Sequence, residues 1–191
     1  QDDFTAAIDS GASDKHRERL IHDGYTHFKQ PGLDLPFDKI HDLSNKMVAD
    51  GVPPVFGFVY DEMWSISTRI RNIIGQMFDG EEYYQLPDFW SWNVSPGQKG
   101  WAPHRDKGHR SLYKDNSPKS LTVWIPTIEA TPVNGCMYIV PAYFDKGYGR
   151  GKVAPNGGNL PPQMELSHIR ALPGQQGDVF VWTQHAFHWG S

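Results

Sequence analysis

The sequence predicts a mostly β fold with flanking helices, an α+β arrangement built around two sheets of short strands. Three observations carry that expectation. Apolar residues recur at helical spacing in the first 80 residues. From residue 81 onward, short strand-like segments alternate with Gly and Pro turns, as in double-sheet β folds. With 38% apolar and 21% charged side chains, 191 residues suffice for one domain with a real core. We therefore expect a single domain over 1–191, with a helical buttress over 1–80 and the β core over 81–191.

The elements follow in order. Residues 1–13 are polar and read as a loosely held terminus. Residues 14–24 predict a short helix opened by Asp14 and stopped by Gly24. Residues 25–29 alternate like a strand, and Pro31-Gly32 is a turn. Phe37, Ile40, Leu43, Met47 and Val48 fall at helical spacing; Gly51 caps that helix and Pro53-Pro54 block its continuation. Residues 55–60 predict a strand. Asp61 opens a longer helix to Phe78, ended by Asp79-Gly80, with Met63, Ile66, Ile70, Ile73, Ile74 and Met77 as its apolar stripe. Strands are then expected over 83–86, 89–94, 121–126, 136–141, 165–172 and 178–183. Between them, residues 147–162 form a Gly/Pro-rich loop with the length of a lid.

Composition excludes several functional classes. A net charge of -4 and a pI near 6.1 give no electrostatic footprint for nucleic acid. No apolar run is long enough to cross a bilayer and no signal peptide opens the sequence, so a cytoplasmic protein without membrane partners is expected. The single cysteine, Cys136, precludes an intrachain disulfide and a cysteine-based zinc cluster, and its apolar context predicts a small buried side chain. A protein-kinase catalytic loop requires Asn where Ser111 stands, and a later Asp-Phe-Gly. Gly147 to Gly151 has neither Rossmann nor P-loop spacing, and no Gly-x-Ser-x-Gly elbow supports a hydrolase.

One stretch carries chemistry. In an extended segment, residues two apart share a face, so His104 and Asp106 present an imidazole nitrogen and a carboxylate oxygen to one point. Two His and one carboxylate around a metal leave three positions open, the ligand set of non-haem Fe(II) oxygenases. His185 and His188 compete for the third place; three residues apart, they face opposite sides of an extended segment.

With these residues in view, the chain resembles the phytanoyl-CoA dioxygenase family of Fe(II)/2-oxoglutarate oxygenases. Three blocks carry the likeness: His104-Arg105-Asp106 after an aromatic segment; residues 121–126 with 131–141, including the Asn134-Gly135 turn; and residues 173–182 followed by 185–191. The resemblance implies a double-stranded β-helix (jelly roll, cupin-like) holding Fe(II) on His104, Asp106 and His188, with His185 packed nearby. It implies 2-oxoglutarate as cosubstrate, O2 and a small-molecule substrate as partners, and succinate and CO2 as products. A carboxylate at 106 favours hydroxylation over halogenation. Trp124 matches a family position lining the 2-oxoglutarate pocket; Thr122, on the same strand, is a candidate hydrogen-bond donor to it, and Asn93 and Gln98, ahead of His104, are candidates to face the same pocket. The family also has an Arg in the strand after the distal His, which this sequence does not reach before Ser191. We therefore expect a truncated chain; the alternatives are an internal anchor, with Arg105, Arg110, Arg150, Arg170 and Lys99 as candidates and none favoured by spacing, or weak or absent 2-oxoglutarate binding. Residues 141–145, Pro-Ala-Tyr-Phe-Asp, depart from the Pro-Gly-Ser-His of many relatives. A jelly roll that keeps the fold without turnover is the competing expectation.

Overall fold

The structure, a computed structural model, describes residues 10–78, 81–95, 97–107, 111–150 and 164–190. Of the expected loose terminus over 1–13, residues 1–9 lie outside them and residues 10–13 are helical; Asp79-Gly80, His109, Arg110, Ser191 and most of the 147–162 loop also lie outside.

Three helices lead the chain: α1 (Ser10–Asp23), α2 (Phe37–Ala49) and α3 (Asp61–Met77). α1 begins four residues before Asp14 and ends at Gly24, whose φ of +82° continues the chain where a side chain would be strained. α3 buries Met63, Ile73, Ile74 and Met77 of the expected stripe. Residues 55–60 are not a strand. They lie in a 3-10 helix, Pro54–Val59, that places Pro at its first position, where the missing N–H is tolerated. No strand among the described residues pairs with the segment, Phe56 and Val59 stay exposed, and only Gly57 is buried, packed near Leu43, Met47 and Met63. Among the described residues, no helix is long and apolar enough to cross a membrane.

Among the described residues, six strands form two three-stranded antiparallel sheets. They are β1 (Tyr25–Phe28), β2 (Leu121–Trp124), β3 (Met137–Val140), β4 (Arg170–Leu172), β5 (Val179–Thr183) and β6 (Phe187–Gly190). The first sheet runs β1-β5-β2, the second β4-β3-β6. Directly paired residues share a face. The pairs Tyr25↔Trp182, His27↔Phe180, Thr122↔Trp182 and Trp124↔Phe180 therefore define the face turned to the second sheet. There Phe180 and Trp182 pack with Ile139 and Leu172. On the opposite face Val179 and Val181 pack with Leu20, Phe28, Ile73, Ile74 and Met77 of the helical side. All five β5 residues are buried, which explains why Val-Phe-Val-Trp-Thr reads as a continuous run and not an alternation.

The β part departs from expectation in three places. Residues 83–86 and 89–94 have no regular structure; Phe89 stacks on Phe58 at 4.9 Å and meets Trp64 edge-on in place of pairing with a strand. Residues 165–172 divide into a 3-10 turn, Leu166–His168, and the short β4. The unexpected strand is β6, whose Phe-His-Trp-Gly carries no branched residue to announce it and is held by β3. Cys136 is buried, as expected.

The turn into β5 is fastened by Asp178. Its carboxylate accepts the backbone N–H groups of Gln30 (2.9 Å) and Gln175 (3.1 Å), the Gln30 side-chain amide (3.0 Å) and His27 Nε2–H (2.9 Å). Gly177, at φ +81°, makes the turn possible. Burial pushes the Asp178 carboxyl upward, but these donors together hold it below the usual carboxylate range. With the folded value depressed, the carboxylate stabilises the fold above the unfolded pKa of about 3.9 and ceases to do so as pH falls through the folded value. Replacing Asp178 with Ala is expected to cost about 2–3 kcal/mol in urea unfolding at pH 7, with the difference from wild type shrinking below about pH 4.

Candidate metal centre

The segment from Pro103 to Lys107 is held against the start of β6 by one antiparallel bridge. His104 N–H donates to the His188 carbonyl at 2.9 Å, and His188 N–H donates back to His104 at 3.0 Å. Opposed residues point their side chains to the same side, so the two imidazoles meet with centroids 4.4 Å apart. Two residues on, Asp106 returns to that side. Its Oδ1 lies 3.2 Å from His104 Nε2 and 3.6 Å from His188 Nε2, and one donor atom from each of the three residues lies within 4.8 Å of the others.

The two imidazoles are oriented in the same way. His104 Nδ1 bonds the Ala102 carbonyl at 2.8 Å, and His188 Nδ1 bonds the Ala186 carbonyl at 3.0 Å. A carbonyl only accepts, so each Nδ1 carries a proton and each ring turns its Nε2 toward Asp106. Burial lowers the His188 pKa and keeps that imidazole neutral near pH 7. Burial pushes Asp106 upward, but the bond from His104, the nearby His188 and the Thr122 hydroxyl outweigh it and hold the carboxyl below its usual range. Two imidazole Nε2 atoms and an ionised carboxylate converging on one point suit a divalent cation with mixed nitrogen and oxygen ligands.

Thr122 has a specific place here. Its Oγ1 donates to Asp106 Oδ2 at 2.6 Å, so the hydroxyl is engaged by the carboxylate and not turned to a cosubstrate. Of the two carboxylate oxygens, Oδ1 faces the imidazoles and Oδ2 faces Thr122. Thr122→Val is expected to weaken divalent-metal affinity about 10-fold, within the range for groups that orient a ligand. Thr122→Ser should restore it, as read by calorimetric titration with Mn(II).

The other expected cosubstrate contacts are dispersed. Trp124 lies on the same strand face as Thr122 and packs against Phe180 at 5.1 Å. Asn93 donates to the Asn45 side chain on α2 at 2.7 Å. Gln98 is exposed and accepts the Ser95 N–H at 3.1 Å, closing a local turn. Neither amide is directed at the triad by these bonds. His185 lies on the other side from His188: fully buried, it meets the Tyr148 ring edge-on at 5.3 Å. His168 stacks on Phe144 at 4.3 Å.

Arg105, between the two candidate ligands, points the opposite way and is 4% exposed. Its Nη1 lies 2.6 Å from Asp145 Oδ2 and donates to the His185 carbonyl at 2.6 Å, while the guanidinium sits 5.3 Å from the Phe187 ring. Asp145 Oδ1 accepts the Gly147 N–H at 2.9 Å. Close by, the Tyr148 and Thr183 hydroxyls bond at 2.8 Å, and burial pushes the Tyr148 phenol up to about 12, so it stays protonated. Arg105 is thus committed to a buried strut and is not disposed as an anchor for a cosubstrate carboxylate. Arg170 donates to the Ser167 and Ile169 carbonyls, and Arg150 and Lys99 stand at exposed positions. Sequence reasoning missed Asp145 as the buried partner of Arg105; the available signal was its place within the segment that departs from the family pattern.

Comparison with known proteins adds an independent line. The family model described as Phytanoyl-CoA dioxygenase (PhyH) matches residues 15–191. No curated protein matches by sequence. Among solved structures, the chain is similar to the epimerase SnoN in complex with Fe3+, alpha ketoglutarate and nogalamycin RO, at 16% identity and a TM-score of 0.60, over 96% of this chain and 78% of that one. It is similar to the non-heme alpha ketoglutarate dependent carbocyclase SnoK from nogalamycin biosynthesis, at 13% identity and a TM-score of 0.62, over 100% and 81% of the two chains. It is also similar to EctD from S. alaskensis with 2-oxoglutarate and 5-hydroxyectoine, at 14% identity and a TM-score of 0.59, over 100% and 72%. At such identities these likenesses establish a shared fold.

Proposed function

Because the chain belongs to the phytanoyl-CoA dioxygenase family, we propose that it is an Fe(II)/2-oxoglutarate-dependent dioxygenase that hydroxylates a small-molecule substrate and releases succinate and CO2. On this reading, His104, Asp106 and His188 hold Fe(II), and the two sheets form walls of a double-stranded β-helix buttressed by the helices of the first 80 residues. The observation that carries it is the convergence of two Nε2 atoms and Asp106 Oδ1, with both Nδ1 protons fixed on carbonyl oxygens. A bound Fe(II) and 2-oxoglutarate supply the oxidising chemistry.

The chain's own residues bind and orient. The Ala102 and Ala186 carbonyls set both imidazole tautomers. Thr122 donates to Asp106 Oδ2 and so orients the carboxylate with Oδ1 toward the two imidazoles, where it would serve as the metal ligand. The buried wall of Phe180, Trp182 and Ile139 keeps water from the interior behind the triad. A carboxylate at position 106 fills the place that a halide would need, which supports hydroxylation over halogenation. The solved relatives include an epimerase and a carbocyclase, so product analysis is part of the test.

Anaerobically prepared protein supplied with Fe(II), 2-oxoglutarate and O2 is expected to form succinate, and His104→Ala is expected to form none. Absence of succinate from the wild-type chain, together with Fe(II) uptake unaltered by His104→Ala, would overturn the proposal.

A further inference from the structure

We propose that Trp90, Trp92 and Trp101 form the substrate-contact face of the metal centre and that this face seats a flat ring system. The inference rests on the function proposed above and names a substrate class for it. The three rings are 60%, 53% and 40% exposed, a concentration of open tryptophan that folded surfaces seldom tolerate without a use. They touch one another: Trp90 stacks on Trp92 at 5.5 Å and 19°, and Trp101 lies 4.9 Å from Trp92 and 6.4 Å from Trp90. Trp101 meets His104 edge-on at 5.8 Å, so the aromatic surface is continuous with a candidate metal ligand.

Local geometry holds the cluster in that place. Phe89 is turned toward α3 and the neighbouring 3-10 helix, where it packs on Phe58 and Trp64. The Trp101 carbonyl accepts the Gly190 N–H at 3.1 Å, two residues beyond His188. Trp90 directs its indole N–H to Asp88 at 3.2 Å, leaving the ring face as the surface on offer. Indole faces are broad, rigid and apolar, and they pair best with another ring face in offset or edge-on contact. A ring resting on Trp92 and Trp101 lies beside the His104 imidazole, which places its bonds close to the metal position.

The test uses 2-naphthol as the flat probe and 1-decanol, with the same number of carbons and no ring, as its control. Calorimetric titration is expected to show 2-naphthol binding that falls about tenfold in Trp92→Ala and stays within about threefold in Trp92→Phe, with 1-decanol about tenfold weaker than 2-naphthol. In protein loaded with paramagnetic Mn(II), the 2-naphthol proton resonances are expected to broaden relative to Zn(II)-loaded protein. The proposal is overturned if Trp92→Ala binds 2-naphthol as wild type does, if 1-decanol binds equally well, or if Mn(II) is taken up without broadening the probe. Failure to take up Mn(II) counts against the metal-centre reading itself, and the titration with 2-naphthol still decides the aromatic face.

Discussion

His188→Ala is expected to reduce Fe(II) affinity by more than about 100-fold, beyond the loss typical of residues that merely orient a ligand. The imidazole is 3% exposed, its Nδ1 proton is fixed on Ala186, and its Nε2 lies 3.6 Å from Asp106 Oδ1, so its removal takes one of the three converging donor atoms from the centre. His185 supplies the control. It is buried on the other side, against Tyr148, so His185→Asn should lower the melting temperature while leaving metal affinity within about threefold. The reverse pattern, with His185→Asn losing metal and His188→Ala keeping it, would refute the ligand assignment. The same side chain predicts a pH effect in metal-free protein. Burial lowers the folded His188 pKa below its unfolded value of about 6.5, so the unfolded chain takes up that proton first and stability declines as pH falls below that value. His188→Ala should flatten that slope in melts recorded across the range.

Arg105→Met should cost about 3–5 kcal/mol, the range for removing one partner of a buried ion pair, which corresponds to a fall of about 10 °C in melting temperature for a chain of this size. Arg105 is 4% exposed, and its Nη1 serves both Asp145 and the His185 carbonyl. Removing it leaves the Asp145 carboxylate buried with no cation and the carbonyl with no donor. Replacing both residues, as Arg105→Met with Asp145→Leu, should recover most of the loss, because the stranded charge disappears. The double-mutant cycle in urea decides the matter: additive single effects would show that the pair is not coupled. Because Arg105 separates His104 from Asp106, the single variant should also weaken metal binding, whereas a stability effect confined to the 145–148 segment would leave it intact.

Much of the fold was legible in the sequence. The periodic stripe of α3, the breakers Gly24 and Pro53-Pro54, and the apolar runs of β2, β3 and β5 are local properties, set by side-chain spacing and backbone freedom. The two-residue spacing of His104 and Asp106 likewise determines by itself that both side chains can reach one point. Other features depend on partners far along the chain. Residues 55–60 and 89–94 have strand-like composition yet pair with no strand among the described residues, because strand formation requires a neighbouring edge; β6, with weak composition, is a strand because β3 supplies one. The choice of His188 over His185 as neighbour to His104 follows from the bridge between residues 84 positions apart, which turns one imidazole inward and the other away. Thr122 meets Asp106, and Arg105 meets Asp145, only after the sheets have closed. Local sequence fixes the face on which a side chain lies; which group waits opposite it is decided by register and packing between distant segments, where a shift of one residue exchanges the two faces.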